Sequence, residues 1–153
     1  MSRSHLPVLG IMLCAAGAAA QEASGPPPVI TVVTTTQAPK PIGPYSQGVI
    51  SRGLLFASGQ IPLDPKTNEL VPGDIESQTE QVLKNLLAVL KEAKMGPQNV
   101  VKTTVFLLDL ADFPRMNEVY GRTFGKQPPA RSTVQVAALP RGARVEIDLV
   151  ASY

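Results

Sequence analysis

Residues 74–108 read DIESQTEQVLKNLLAVLKEAKMGPQNVVKTTVFLL, and two different periods run through them. Ile75, Val82, Leu83, Leu86, Leu87, Leu90 and Ala93 recur at the spacing of a single helical stripe, and Glu76, Glu80, Lys84, Lys91 and Lys94 avoid it. The spacing predicts a helix over 75–95, with Asp74 as N-cap, acidic residues in the first turn and lysines in the last, where they oppose the helix dipole. Gly96-Pro97 is expected to stop it. The run over 100–108 then changes character. It is β-branched and apolar with few polar positions, and reads as a buried strand.

On the C-terminal side, Asp112 is expected to cap a second helix running to about Phe124, with Phe113, Met116, Tyr120 and Phe124 on its apolar face. Pro128-Pro129 ends that region, and strands follow over 132–138 and 145–151. In the last of these Val145, Ile147, Leu149 and Ala151 share one face, and Arg144, Glu146 and Asp148 the other. On the N-terminal side, Ile30, Val32, Val33 and Thr34 to Thr36 favour a strand. The loop Ala38-Pro39-Lys40-Pro41-Ile42-Gly43-Pro44 cannot continue it, because its prolines lack ladder donors. Short strands are expected over 47–51 and 54–60, with Gly53 in a tight turn between them. The order is β-β-β-α-β-α-β-β, an α+β two-layer sandwich with one mixed sheet against two helices. The second face of that sheet needs a cover, and the apolar strand over 100–108 favours other subunits as that cover.

The chain has 153 residues, 14 Lys and Arg against 12 Asp and Glu, one Cys (Cys14), one His (His5) and no Trp. Residues 1–20 read as a secretory signal peptide: Arg3 and His5, then an apolar run from Leu6 to Ala16, then Ala18-Ala19-Ala20 as an A-x-A cleavage site before Gln21. That run is short for a membrane span, so no stable membrane insertion is expected after cleavage. Leu13 stands where a lipidated Cys14 would need a small residue before it. The expected location is periplasmic or secreted; the alternatives are an uncleaved anchor or a misannotated start, the latter leaving the protein cytoplasmic. Residues 21–28, rich in proline, read as a disordered linker, and a single domain is expected over 29–153. Without the leader the chain has neither thiol nor imidazole. That excludes Cys or Ser-His nucleophiles and the usual zinc sites. The remaining 13 basic and 12 acidic residues, with few aromatics, are poor equipment for nucleic acid.

Candidate chemistry must therefore use other groups. Arg131 follows a stiff Gln127-Pro128-Pro129-Ala130 segment, shares its strand face with Thr133 and Gln135, and could grip a carboxylate by its fork; a solvated arginine or a structural ion pair is the plainer reading. Glu146 is a charge in mid-strand and needs a partner or a task, unless it belongs to a polar outer face. Tyr45 could line a pocket or merely pack. Ser58-Gly59-Gln60 could expose backbone donors or make a turn. Asn117, near Met116 and Tyr120, could meet a ligand or bond its own backbone.

Several ordered blocks carry a resemblance: Ala38-Pro39 with Ile42-Gly43-Pro44-Tyr45-Ser46-Gln47-Gly48; Ser58-Gly59-Gln60-Ile61-Pro62 with Asp64-Pro65-Lys66-Thr67; Gln78 with Gln81-Val82-Leu83-Lys84-Asn85; Val101-Lys102-Thr103-Thr104-Val105-Phe106; Asp109-Leu110-Ala111-Asp112-Phe113 with Asn117; Pro129-Ala130-Arg131-Ser132; and Ala138-Leu139-Pro140 with Val145-Glu146-Ile147. From about Thr35 to Ala151 the chain closely resembles the YjgF/RidA family of imine deaminases. The resemblance implies a chorismate-mutase-like fold and a homotrimer with a cleft at each subunit interface. It implies hydrolysis of reactive 2-enamino and 2-imino acids, released by pyridoxal-phosphate enzymes, to 2-keto acids and ammonia, as in a 2-iminobutanoate/2-iminopropanoate deaminase, with no metal and no organic cofactor.

Carried onto this sequence, the resemblance has Arg131 grip the substrate carboxylate. Tyr45 and Ser58 shape the cleft, Asn117 contacts substrate and the Gly59 backbone adds a hydrogen bond. Glu146 and the Thr133 hydroxyl position the attacking water. Thr133 stands where many bacterial members have Cys, which leaves substrate range open, and a leader is unusual in a family that works in the cytosol. Two other readings compete: a non-catalytic binder of small 2-keto or related carboxylates in the same cleft, and a chaperone or ribonuclease-like stress role.

Overall fold

The computed structural model describes residues 29–153. The leader expected over 1–20, with its cleavage site and Cys14, and the linker expected over 21–28 lie outside the described residues. The elements are β1 (Ile30–Val33), β2 (Gly48–Ser51), β3 (Leu54–Gln60), α1 (Ile75–Glu92), β4 (Val100–Leu107), α2 (Phe113–Phe124), β5 (Ala130–Gln135) and β6 (Val145–Ser152), with 3-10 turns at Pro97–Asn99, Leu110–Asp112 and Pro140–Gly142. The observed order is the expected one. The six strands lie in the order β1-β2-β3-β6-β4-β5. Every neighbouring pair is antiparallel except β4 and β5, which are parallel and joined by α2 as crossover. Both helices pack on one face of this sheet, so the fold is a two-layer α+β sandwich. The last strand in sequence lies in its middle.

The core forms between α1 and the helix-facing side of the sheet. Ile75, Val82, Leu83, Leu86, Val89 and Leu90 are buried against Leu55, Val105, Leu107, Ile147 and Leu149. Val89 belongs to the stripe, and Leu87 sits at its half-buried edge. Asp74 caps the helix, accepting from the Ser77 N–H at 3.0 Å. The C-terminus differs from expectation. Lys94 takes the left-handed conformation at φ 61°, and the Met95 and Lys94 N–H groups bond back to the Leu90 and Lys91 carbonyls at 2.9 and 3.0 Å. That closes a Schellman turn three residues before Gly96, which therefore opens the next turn.

Four other expectations are corrected. The threonines over 34–36 leave β1, because the buried Gln47 side chain takes both backbone groups of Thr35, at 2.7 and 3.0 Å. β4 is buried on one face only: Thr103, Val105 and Leu107 face the helices, while Lys102, Thr104 and Phe106 lie half-buried on the open side. β5 spans Ala130–Gln135 rather than 132–138, because its ladder with β4 runs from Lys102↔Ala130 to Leu107↔Gln135 and stops where β4 stops. Asp112 caps nothing. Its carboxylate takes a two-pronged bond from Arg144, with Nη2 at 2.8 and 3.0 Å and Nε at 3.2 Å. Arg144 is therefore tied to the start of α2 rather than sharing an open face with Glu146 and Asp148. In the β2–β3 hairpin both Arg52 and Gly53 have positive φ, 49° and 77°, the pattern of a two-residue type I′ turn.

Candidate active site

Glu146 begins the functional description, because the strand alternation of β6 sends it to the open side while Val145 and Ile147 enter the core. Directly across the sheet, the β3–β6 register shifts between Ala57 and Gln60, so Ser58 and Gly59 fall in an irregular step of the ladder. Gly59 lies under the Glu146 carboxylate, and a β-carbon there would overlap the carboxylate oxygen. The cleft above holds about 280 Å³ and is lined by Ile42, Tyr45, Ser58, Gly59, Ile61, Pro140 and Glu146. Burial, and then the like charge of Asp148 two residues along the strand, push the Glu146 carboxyl above its ordinary value.

The loops that wall this cleft are held by buried amides. Gln47, 3% exposed, donates to the carbonyls of Thr35, Ala38 and Pro39 and so fixes the proline-rich loop that delivers Tyr45. The Tyr45 oxygen accepts from the Ile42 N–H at 3.1 Å, which leaves its own proton free to donate. The Ser58 hydroxyl donates to the Ser46 carbonyl at 2.6 Å. Its proton is thereby committed, and Ser58 shapes the cleft rather than reacting in it. On the far wall Asn85 of α1 donates to the Ile61 and Leu63 carbonyls at 3.3 and 3.0 Å.

Arg131 lies elsewhere. It pairs with Thr103 in the β4–β5 register, and Thr103 is fully buried on the helix side, sharing a 2.8 Å hydrogen bond with the Tyr120 hydroxyl. The Arg131 guanidinium carbon sits 4.6 Å from the Tyr120 ring centre and 5.5 Å from that of Phe113. Thr133 follows on the same face, opposite Val105. Asn117, half-buried on α2, is four residues from Phe113 and three from Tyr120, so the three share one side of the helix. The structure thus brings together Tyr45, Ser58, Gly59 and Glu146 in one group, and Arg131, Thr133 and Asn117 in another. Within a single chain it does not join the groups, because the sheet lies between them: Glu146 pairs with Phe106 on the open side.

The sequence reading missed Phe113 and Tyr120 as contacts of Arg131, Gln47 and Asn85 as loop anchors, and Ile42, Ile61 and Pro140 as cleft walls. Asn117 set between two aromatic residues of one stripe was the signal for the first pair. The anchors carried no such signal, because hydropathy marks Gln47 and Asn85 as solvent-facing.

A two-layer α+β sandwich with an acid and a phenol in one cleft, and an arginine held on aromatic faces on the other side of the sheet, defines a class of small α+β protein that binds small molecules. The chain belongs to the endoribonuclease L-PSP family, the YjgF/RidA proteins, whose model matches residues 35–153. It is 51% identical over 116 residues to a mouse protein described as 2-iminobutanoate/2-iminopropanoate deaminase, covering 76% of this chain and 86% of that one. Solved structures are similar as well, two bacterial proteins among them. RidA from an Antarctic Psychrobacter is 41% identical with a TM-score of 0.78, over 80% of this chain and 99% of that one. E. coli TdcF with bound serine is also 41% identical, with a TM-score of 0.76, over 80% and 99%.

Proposed function

We propose that this protein hydrolyses reactive 2-enamino and 2-imino acids to 2-keto acids and ammonia, in a site built from both groups of residues across a subunit interface of a homotrimer. The observation that carries the reading is the Glu146 carboxyl, held above its ordinary value over Gly59 in a cleft faced by the Tyr45 hydroxyl. A carboxylate so raised is a stronger base than one in water, able to take a proton from water and return it. The mouse relative's description supports the substrate class, and serine bound to TdcF supports a site sized for small amino-acid-like molecules.

Arg131 holds the substrate carboxylate by paired charge-assisted bonds. Tyr45 donates to the substrate and Thr133 orients the water. Glu146 takes a proton from that water as its oxygen adds to the imine carbon. Glu146 passes that proton to the nitrogen, giving the neutral carbinolamine; it then takes the carbinolamine hydroxyl proton and hands it to the nitrogen as the C–N bond breaks, so the C=O bond forms and ammonia leaves. Imine plus water thus becomes keto acid plus ammonia, with no redox change. Positioning and charge stabilisation supply most of the acceleration.

Two features support assembly. The residue groups face opposite ways, and the open face of the sheet exposes Val32, Phe56 and Val134, each more than 40% accessible. A head-to-tail contact that repeats and closes makes a ring. The test generates a 2-imino acid in place with an amino-acid oxidase and follows ammonia and keto acid release. The wild type accelerates release, and Arg131→Ala abolishes it while sedimentation still shows three chains. Full activity in that variant overturns the carboxylate grip. The serine-bound relative favours one further reading, a binder of small carboxylates without turnover. It predicts binding of a 2-keto acid with no acceleration.

The leader carries a separate proposal, export. Its support is the three-part pattern over 1–20. A mature N-terminus at Gln21 in an extracytoplasmic fraction is the expected result, and full-length chain confined to the cytoplasm overturns it.

A further inference from the structure

We propose that Tyr120 and Phe113 are positioning residues for Arg131: the faces of their rings hold the guanidinium in place by cation–π contact, so that the charge is fixed without being neutralised. The inference rests on the reading of Arg131 as the carboxylate grip. It adds how that grip is held ready and which residues set its strength.

A substrate-binding arginine faces two opposed demands. It must be immobilised, because a free side chain gives up rotamer freedom each time it binds. The common way to immobilise it is a carboxylate partner. That partner would occupy the fork and cancel the charge that the ligand needs. An aromatic face meets both demands, attracting the cation through the ring quadrupole while leaving the in-plane N–H groups unused. The distances here, 4.6 Å to Tyr120 and 5.5 Å to Phe113, lie within the range of that attraction. Among the described residues Arg131 has no hydrogen bond and no ion pair to any side chain.

Two neighbouring details fit the same role. The Tyr120 ring, 5% exposed, is anchored at its far end by the bond to the Thr103 hydroxyl at 2.8 Å. Thr103 is the residue paired with Arg131 across the β4–β5 ladder, so one register step carries both the arginine and the anchor of its platform. The acid next to Phe113 is also withdrawn from competition. Both oxygens of Asp112 are bound by Arg144, at 2.8 to 3.2 Å.

The test compares binding of 2-oxobutanoate and its uncharged amide, 2-oxobutanamide, by calorimetry, together with imine hydrolysis. In the wild type the carboxylate binds more tightly than the amide. In Tyr120→Leu and Phe113→Leu that preference falls, by about tenfold for Tyr120 and less for the more distant Phe113. KM for the imino acid rises in step, kcat stays within about threefold, and binding of the amide changes little. Tyr120→Phe keeps the ring and restores the preference. General damage to the fold weakens both ligands alike, so an equal loss for carboxylate and amide overturns the proposal, as does an undiminished preference in both leucine variants. If Tyr120→Leu fails to fold, the Phe113 variant, altered at a half-buried ring, decides alone. Arg131→Ala separates the two levels. A carboxylate preference that survives it removes the grip itself, whereas loss in Arg131→Ala with none in the leucine variants removes only the cradle.

Discussion

Glu146 is kept protonated to higher pH than a carboxyl in water, by burial first and the Asp148 charge second, and both causes make measurable predictions. Asp148→Asn removes the like charge and keeps an oxygen that can accept from the Thr104 N–H, now bonded at 3.1 Å. With Glu146 as base, its ionised form then extends to lower pH, and the acid limb of the kcat/KM profile moves down the pH scale. The effect on stability has the opposite sense. Between the ordinary carboxyl value of 4.5 and the raised one, the folded chain binds more protons than the unfolded chain. This residue's contribution to stability is therefore unpenalised below that window and falls as pH rises through it. Glu146→Gln lacks the penalty: denaturant midpoints should match the wild type at about pH 4 and exceed it at about pH 8. Gly59 tests the same contact sterically. Gly59→Ala drives a methyl into the Glu146 carboxylate. The expected result is a fall in kcat/KM of about a hundredfold, from a misplaced acid, with a loss of about 2 kcal/mol in unfolding free energy from overpacking.

The elements that periodicity describes were legible, and the elements that polar contacts describe were not. α1 could be read because its buried side is a 3.6-residue stripe with Asp74 at its head, and β6 because Val145, Ile147, Leu149 and Ala151 alternate with half-buried residues. Gln78, Thr79 and Asn85 of the same helix are also buried, and hydropathy marks them as solvent-facing. Their partners, the Arg144 N–H, the Ile75 carbonyl and the Ile61 and Leu63 carbonyls, are set mainly by tertiary structure. Asp112 shows the same limit: its place before an apolar stripe predicts a cap, and an arginine 32 residues away takes it instead. The candidate residues could be named individually, but not their grouping. Which face of a strand Arg131 occupies relative to Glu146 depends on two ladder registers that leave no trace in local sequence. Gln47 makes the importance of such buried amides testable. Gln47→Leu preserves size and strips the bonds to Thr35, Ala38 and Pro39, leaving buried backbone groups unpaired. A loss of about 3 kcal/mol in chemical denaturation is expected. KM should also rise, because the loop carrying Tyr45 is no longer pinned.

At the scale of the whole molecule, the position of the sheet between Arg131 and Glu146 makes the proposed assembly a condition for activity. In the proposed head-to-tail ring, the Glu146 group would come from the open side of one chain and the Arg131 group from the helix side of another, so each site would draw on two neighbours. Arg131→Ala and Glu146→Gln should each be inactive alone, for different reasons: the first lacks the grip and keeps the acid, and the second lacks the acid and keeps the grip. Unfolded separately, mixed in equal amounts and refolded, they form rings of random composition. A given interface then receives an intact arginine half with a chance of one half, and an intact glutamate half with the same chance. About a quarter of the wild-type rate per chain should return if neighbours in a ring are chosen independently. A site contained within one chain predicts no recovery at any mixing ratio, since every chain carries one lesion. Titrating the ratio sharpens the contrast, because the recovered rate should follow the product of the two fractions and peak at equal mixing. A double variant carrying both lesions on one chain, mixed with wild type, should instead leave activity in proportion to the square of the wild-type fraction. That squared dependence is the signature of a site whose halves come from two independently drawn chains, and a linear dependence would place the whole site within one.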